Sequence, residues 1–250
     1  MLIATLGYGK EQISNDRDLT ALDLSTWDCL EKPEGSGETA DGVERNKQKN
    51  RAPFDLAGVE VLNFDIPGFV RYFSAFDAEA NGKHRQDLSS AQREQLNALE
   101  KRVVSLTAYL GMAYSGAPET TNCGHGDIHD WHLEMFERPI EHAPTIGDAT
   151  PIICEITPRT QDVIYKAGIR LQKLSGFFRR SDLETEPMAQ KPQLVRITGL
   201  LMWDDAHIGK ADIGPTIESI TPNKYHHPWR LTGWEIHPVF KIEVLPDPGH

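Results

Sequence analysis

The chain has 250 residues, of which 39% are hydrophobic and 25% charged, enough for one ordinary domain with an extension or for two small ones. Lys and Arg number 26 against 37 Asp and Glu, a formal charge of −11, so bulk electrostatic capture of nucleic acid is disfavoured. Its apolar runs are short, which excludes a membrane-spanning helix.

Residues 1–57 read as an irregular N-terminal segment. Within it, residues 33–42 (PEGSGETADG) have the composition of a flexible loop, and the charged run 44–51 (ERNKQKNR) reads as a solvated linker or helix surface. Residues 58–102 form an α/β extension. A short strand is predicted over 58–66, and Pro67 then opens a helix over 68–76, proline being suited to a first helical turn. Phe69, Tyr72, Phe73 and Phe76 recur at helical spacing there and read as core. A second helix starts at Ser89 or Ser90 and runs to Arg102, with Leu96, Leu99 and Val103 on its apolar face. Arg93 follows Ser90 by three, so the capping box is incomplete.

From residue 103 the period changes to two. Strands are predicted over 103–114, 130–136 and 151–157, then a helix over 160–175 with Gly176 as its C-cap, then strands over 194–203 and 234–245. Gly111 in the first strand permits a bulge or bend, and Pro238 in the last marks an edge or a bulge. This β-β-β-α-β-β succession over residues 103–250 resembles the OB-fold, a five-stranded, partly open Greek-key barrel. The fold class is therefore α+β, an OB-fold-like barrel with an N-terminal extension. The segments DWHLEM (130–135), EITPR (155–159) and WEIHPV (234–239) are also similar to segments of uncharacterised bacterial proteins, a likeness that implies no activity.

Strand alternation places candidate chemistry. If Trp131, Leu133, Met135, Ile152, Cys154, Ile156, Trp234 and Ile236 point into the barrel, then His132, Glu134, Glu155, Thr157, Glu235 and His237 share the outer face. In an OB barrel the third strand lies between the second and the fifth. Two imidazoles and three carboxylates then converge on neighbouring strands, and such a cluster calls for a cation or protons. The metal candidates are His132, Glu134, Glu155 and His237, holding a divalent ion (zinc, manganese or calcium). Glu235 or Asp130 is the candidate general base, and Arg159 or His207 the group that steadies a developing anion. The plainer alternative is ordinary cross-strand pairing, with Arg159 or Arg196 as the cation. Residues 122–134 (NCGHGDIHDWHLE) add Cys123, His125, Asp127 and His129 nearby, and a Cys–His nucleophile at Cys123 is a further, lesser candidate.

The functional expectation is a metal-dependent hydrolase acting on a small-molecule or oligomeric substrate. The alternative is a non-enzymatic OB-type module binding an oligosaccharide, a single-stranded nucleic acid or a protein through Tyr109, Tyr114, Trp203, Trp229 and Trp234. A third is an assembly protein whose charged N-terminal segment orders on a partner. There is no GxSxG, P-loop, GxGxxG, CxxC or HExxH motif. Cys29, Cys123 and Cys154 are odd in number and sparse, which argues against a disulfide framework. Residues 1–10 lack the basic and apolar regions of a signal peptide, so a cytoplasmic protein is the default, although a chain trimmed of its signal would look the same.

Overall fold

Five strands close on one another in the order first–second–third–fifth–fourth–first, with a helix between the third and the fourth. The computed structural model describes residues 18–25, 29, 40–117, 119–125, 128–179, 185–222 and 224–247. Its elements are α1 (Ala40–Lys49), β1 (Val61–Phe64), α2 (Ile66–Ala80), α3 (Ser90–Glu100), β2 (Val103–Ser115), β3 (Trp131–Phe136), β4 (Ile152–Ile156), α4 (Pro158–Lys166), β5 (Phe177–Arg179), β6 (Thr185–Pro187), β7 (Leu194–Trp203), β8 (Ser219–Ile220), β9 (His226–His227) and β10 (Trp234–Val244).

The barrel is β2, β3, β4, β10 and β7. β2 pairs antiparallel with β7 along its first half and with β3 along its second. β3 pairs antiparallel with β4, β10 antiparallel with β7, and the closing pair of β4 and β10 runs parallel. These orders and directions, with α4 between β4 and β7, are those expected of an OB-fold-like barrel. β2 serves two partners by bending at Gly111, where the register slips between Leu110 and Met112. A Cβ there would lie 2.4 Å from the Phe136 ring, so glycine is required by close approach. The Pro238 bulge also forms, between Ile236 and Val239.

All eight residues expected inside the barrel belong to the main apolar core. The α2 stripe joins them: Phe69, Phe73 and Phe76 are buried, with Phe73 stacked on Trp234 at 4.8 Å and Phe76 edge-on to Trp203 at 5.2 Å. Tyr72 departs from the predicted stripe and is exposed. β1 extends the sheet by pairing parallel with β2, β5 pairs parallel with β2 at Met112–Tyr114, and β6 pairs antiparallel with β5.

Three local readings are corrected. The α3 capping box is complete, because Ser89 is the N-cap: the Gln92 backbone N–H donates to Ser89 Oγ (3.3 Å) and the Ser89 N–H to Gln92 Oε1 (2.9 Å). The helix predicted to run to Ser175 stops at Lys166, with Gly168 at φ +85; Leu171 and Leu174 reach the core through a separate short turn. Gly176 is then no C-cap, but its missing Cβ leaves room for Pro192. Residues 44–49 of the charged run form the second half of α1, which lies on the barrel, with Asn50 and Arg51 just past its end; most of the predicted loop at 33–42 falls outside the described residues. Among the described residues no helix is long and apolar enough to cross a membrane.

Candidate metal centre beneath helix α1

The face of β3, β4 and β10 that turns away from the core is roofed. β4 sits between its neighbours with Glu155 opposite His132 and Cys154 opposite Ile236, so Glu155, Glu235 and His237 come together. Asp130 arrives from the residue before β3. Over them lie α1 and residues 119–125. The Asn50 side-chain amide donates to the Thr121 carbonyl (2.8 Å), Thr121 Oγ1 donates to Asn46 Oδ1 (3.4 Å), and Arg51 donates to the carbonyls of His237 (2.7 Å) and Leu201 (2.8 Å). Asp130, Glu235 and His237 are 0% exposed and Glu155 is 1% exposed. An outer strand face has become interior.

Burying this much charge is tolerable only with close partners. His132 Nε2 lies 3.2 Å from Glu155 Oε1. His237 Nδ1 lies 3.2 Å from both Glu155 Oε2 and Glu235 Oε2, and its hydrogen bond goes to Glu235. Glu235 pairs in turn with Arg230, which reaches Asp204 at 3.4 Å. Asn122 donates to Asp130 Oδ1 (3.2 Å). The ionic chain then continues away from the site: Arg45 reaches Asp205 (3.2 Å), and Asp205 reaches Arg85 (3.0 Å), which also clasps Glu100.

Asp130 Oδ2, Glu155 Oε2 and His237 Nε2 are among the buried side-chain atoms that have no hydrogen-bond partner among the described residues. One potential ligand atom from each of Asp130, Glu155 and His237 falls in a group no more than 4.8 Å across. If the neutral ring carries its proton on Nδ1, facing Glu235, the lone pair of His237 lies on Nε2, 3.8 Å from Asp130 Oδ2. A carboxylate behind a histidine is the arrangement that fixes ring and tautomer in metal centres.

The protonation balance follows from the same contacts. Burial alone would raise the Glu155 carboxyl, but His132, His237 and Lys49 together hold it well below the usual carboxylate range. Burial, reinforced by Glu119, pushes Asp130 up to about 7. Burial works against a charged His132, yet the charge of Glu155 and its hydrogen bond bring that imidazole up to about 9. His237 is also raised, burial being outweighed by Glu155 and Glu235.

The expected ligands therefore divide. Glu155 and His237 stand together with Asp130, which sequence reasoning offered as a base. His132 stands beside Glu155, stacked on Tyr114 with ring centroids 4.9 Å apart. Glu134 lies farther along β3, opposite Ile153, near Tyr114 and Arg179, and burial pushes its carboxyl up to about 7. Glu235 is occupied with Arg230 and His237. Arg159 is partly exposed in the first turn of α4, and His207 packs edge-on to Trp229 at 5.0 Å.

Two further expectations are corrected. Cys123 is no nucleophile, because it is disulfide-bonded to Cys29, a single bridge rather than a framework. Only Cys154 is free, and it is buried. Of the aromatics proposed for ligand binding, Trp203 and Trp234 are 2% and 0% exposed beneath α2 and so unavailable to a ligand, while Tyr109, Tyr114 and Trp229 are half-buried. Of the polar run at 122–134, His125 is exposed, His129 is half-buried and Asp127 falls outside the described residues. Sequence reasoning missed Lys49, Glu119, Asp204 and Arg230, because no local spacing connects α1 or the β9–β10 loop to the strands they cover.

Comparison of the chain with protein-family models, with curated proteins and with solved structures found no match.

Proposed function

We propose that the protein is a metal-dependent hydrolase whose divalent ion is held by Asp130, Glu155 and His237. The observation that carries this reading is that Asp130, Glu155 and His237, all buried and from three neighbouring chain segments, each bring a potential ligand atom into a group no more than 4.8 Å across. Two carboxylate oxygens and one imidazole nitrogen suit zinc or manganese better than calcium, which prefers an all-oxygen shell. Three protein ligands leave a position for water, and a bound divalent ion lowers the pKa of that water towards neutrality. Glu235 orients His237. His132, whose Nε2 lies 3.2 Å from Glu155 Oε1, is the candidate proton donor to a leaving group.

The test is elemental analysis of purified protein and of D130N, E155Q and H237Q, paired with a screen of phosphoester, carboxyl-ester and glycoside substrates. Near-stoichiometric zinc or manganese in the parent, lost in all three variants and accompanied by turnover, is the expected result. A second reading rests on the same burial. With its ligands almost wholly covered, the ion would be structural, as closed metal sites are. Bound metal without turnover on any substrate decides for that. Absence of metal, with no rise in melting temperature on adding any divalent ion, removes both.

A further inference from the structure

Helix α1 carries an ammonium group to this same face. Lys49 is the last residue of α1, and its side chain is 11% exposed. Its Nζ lies 3.8 Å from Glu119 Oε2, and the other oxygen of Glu119 lies 4.0 Å from His132 Nε2, the histidine bound to Glu155. Glu155, Glu119, Asp204 and Glu235 all act on this ammonium and hold its pKa above the usual lysine value despite burial. Lysine is rarely buried without such compensation. The residues around it are anchored. Arg45 pairs with Asp205, Asn50 and Thr121 bind each other, Arg51 holds the His237 carbonyl, and Cys29–Cys123 ties the chain ahead of α1 to the loop that carries Glu119.

We propose that Lys49 is a tethered counter-ion for the Asp130–Glu155–His237 group and competes there with a divalent ion, so that the seating of α1 sets the affinity of the site. This rests on the metal-site reading above and adds its regulation. The physical reason is charge. The carboxylates of the face need positive charge once solvent is excluded, and one ammonium or one dication can supply it. Both together crowd like charges into a small volume of low dielectric. Metal entry therefore requires the Lys49 side chain to withdraw, and the withdrawn ammonium becomes accessible to solvent.

Two measurements test this. The first is calorimetric titration of Mn²⁺, with Zn²⁺ in parallel, into the parent, Lys49→Met and Lys49→Arg. Methionine keeps the apolar stem and removes the charge; arginine keeps the charge. The expected result is affinity at least tenfold tighter in K49M and close to the parent in K49R. The second uses the parent alone and so does not depend on K49M folding. Reductive methylation is followed by peptide mass spectrometry with and without saturating Mn²⁺. Lys49 should be protected without the metal and modified with it. Equal Mn²⁺ affinity in parent and K49M, or a Lys49 that stays protected in the metal-loaded parent, overturns the competition and leaves the metal site standing. Binding by K49M where the parent binds nothing supports it. Binding by neither, for either metal, removes the metal site and the competition together.

Discussion

Arg85 is wholly enclosed, with Nε 3.0 Å from Asp205 and Nη1 3.0 Å from Glu100, and it also donates to the Trp203 carbonyl. Removing one member of such a group leaves buried charge without compensation. Arg85→Met should therefore cost about 3–5 kcal/mol in urea unfolding. Asp77 offers a pH test away from the candidate site. Its carboxylate accepts from Trp234 Nε1 (2.8 Å), and burial pushes its pKa up to about 6. A folded-state pKa raised above the unfolded value gives stability that is full below the unfolded value of about 4 and lost as pH rises through about 6. Asp77→Asn keeps the acceptor and discards the titration. Its melting temperature should fall less than the parent's between pH 4 and pH 7. An unchanged pH slope in the variant would show that Asp77 ionises in the fold without penalty.

At the scale of elements, the five barrel strands were legible because each alternates against one core, whereas the two- and three-residue strands β5, β6, β8 and β9 are too short to show a period. Trp131, Leu133 and Met135 could only face inward together, which fixed His132 and Glu134 on the other side. Gly111 and Pro238 were legible as bulges for steric reasons that hold in any strand. Gly199 was not, since its constraint comes from another strand: a Cβ there would sit 2.3 Å from the Pro238 carbonyl oxygen. Gly199→Ala should accordingly lower stability by about 1–3 kcal/mol through overpacking, measured by chemical denaturation. Helix α1 was illegible as a roof for a different reason. The side chains buried along it and at the residue just past its end are those of Asn46, Lys49 and Asn50, polar groups that hold their places by hydrogen bonds and charge. Hydrophobic periodicity carries no trace of such an interface. The outer strand face consequently read as open, and the acid–histidine group read as a surface cluster.

Across the whole molecule, one bridge spans 94 residues of sequence, between Cys29 ahead of α1 and Cys123 behind β2. On chain-entropy grounds a closure of that length stabilises by about 4 kcal/mol, so reduction, or Cys29→Ser, should lower the unfolding free energy by that order. Thiol titration of the denatured, unreduced protein should find one reactive sulfur, that of Cys154, and three after reduction. Such bridges persist in oxidising compartments and are rare in the cytosol. The barrel itself is a hoop of five staves, and the staves are not joined equally. β2 and β7 match at seven positions, whereas β4 and β10 match at one, Ile236 opposite Cys154, just ahead of the bulge at Pro238. Glu155 and His237 stand on either side of that thin join. An ion gripped by both would act as a rivet. Its arrival should slow amide hydrogen exchange along β4 and β10 while leaving β2 and β7 as they were, fastening the hoop at its thinnest join.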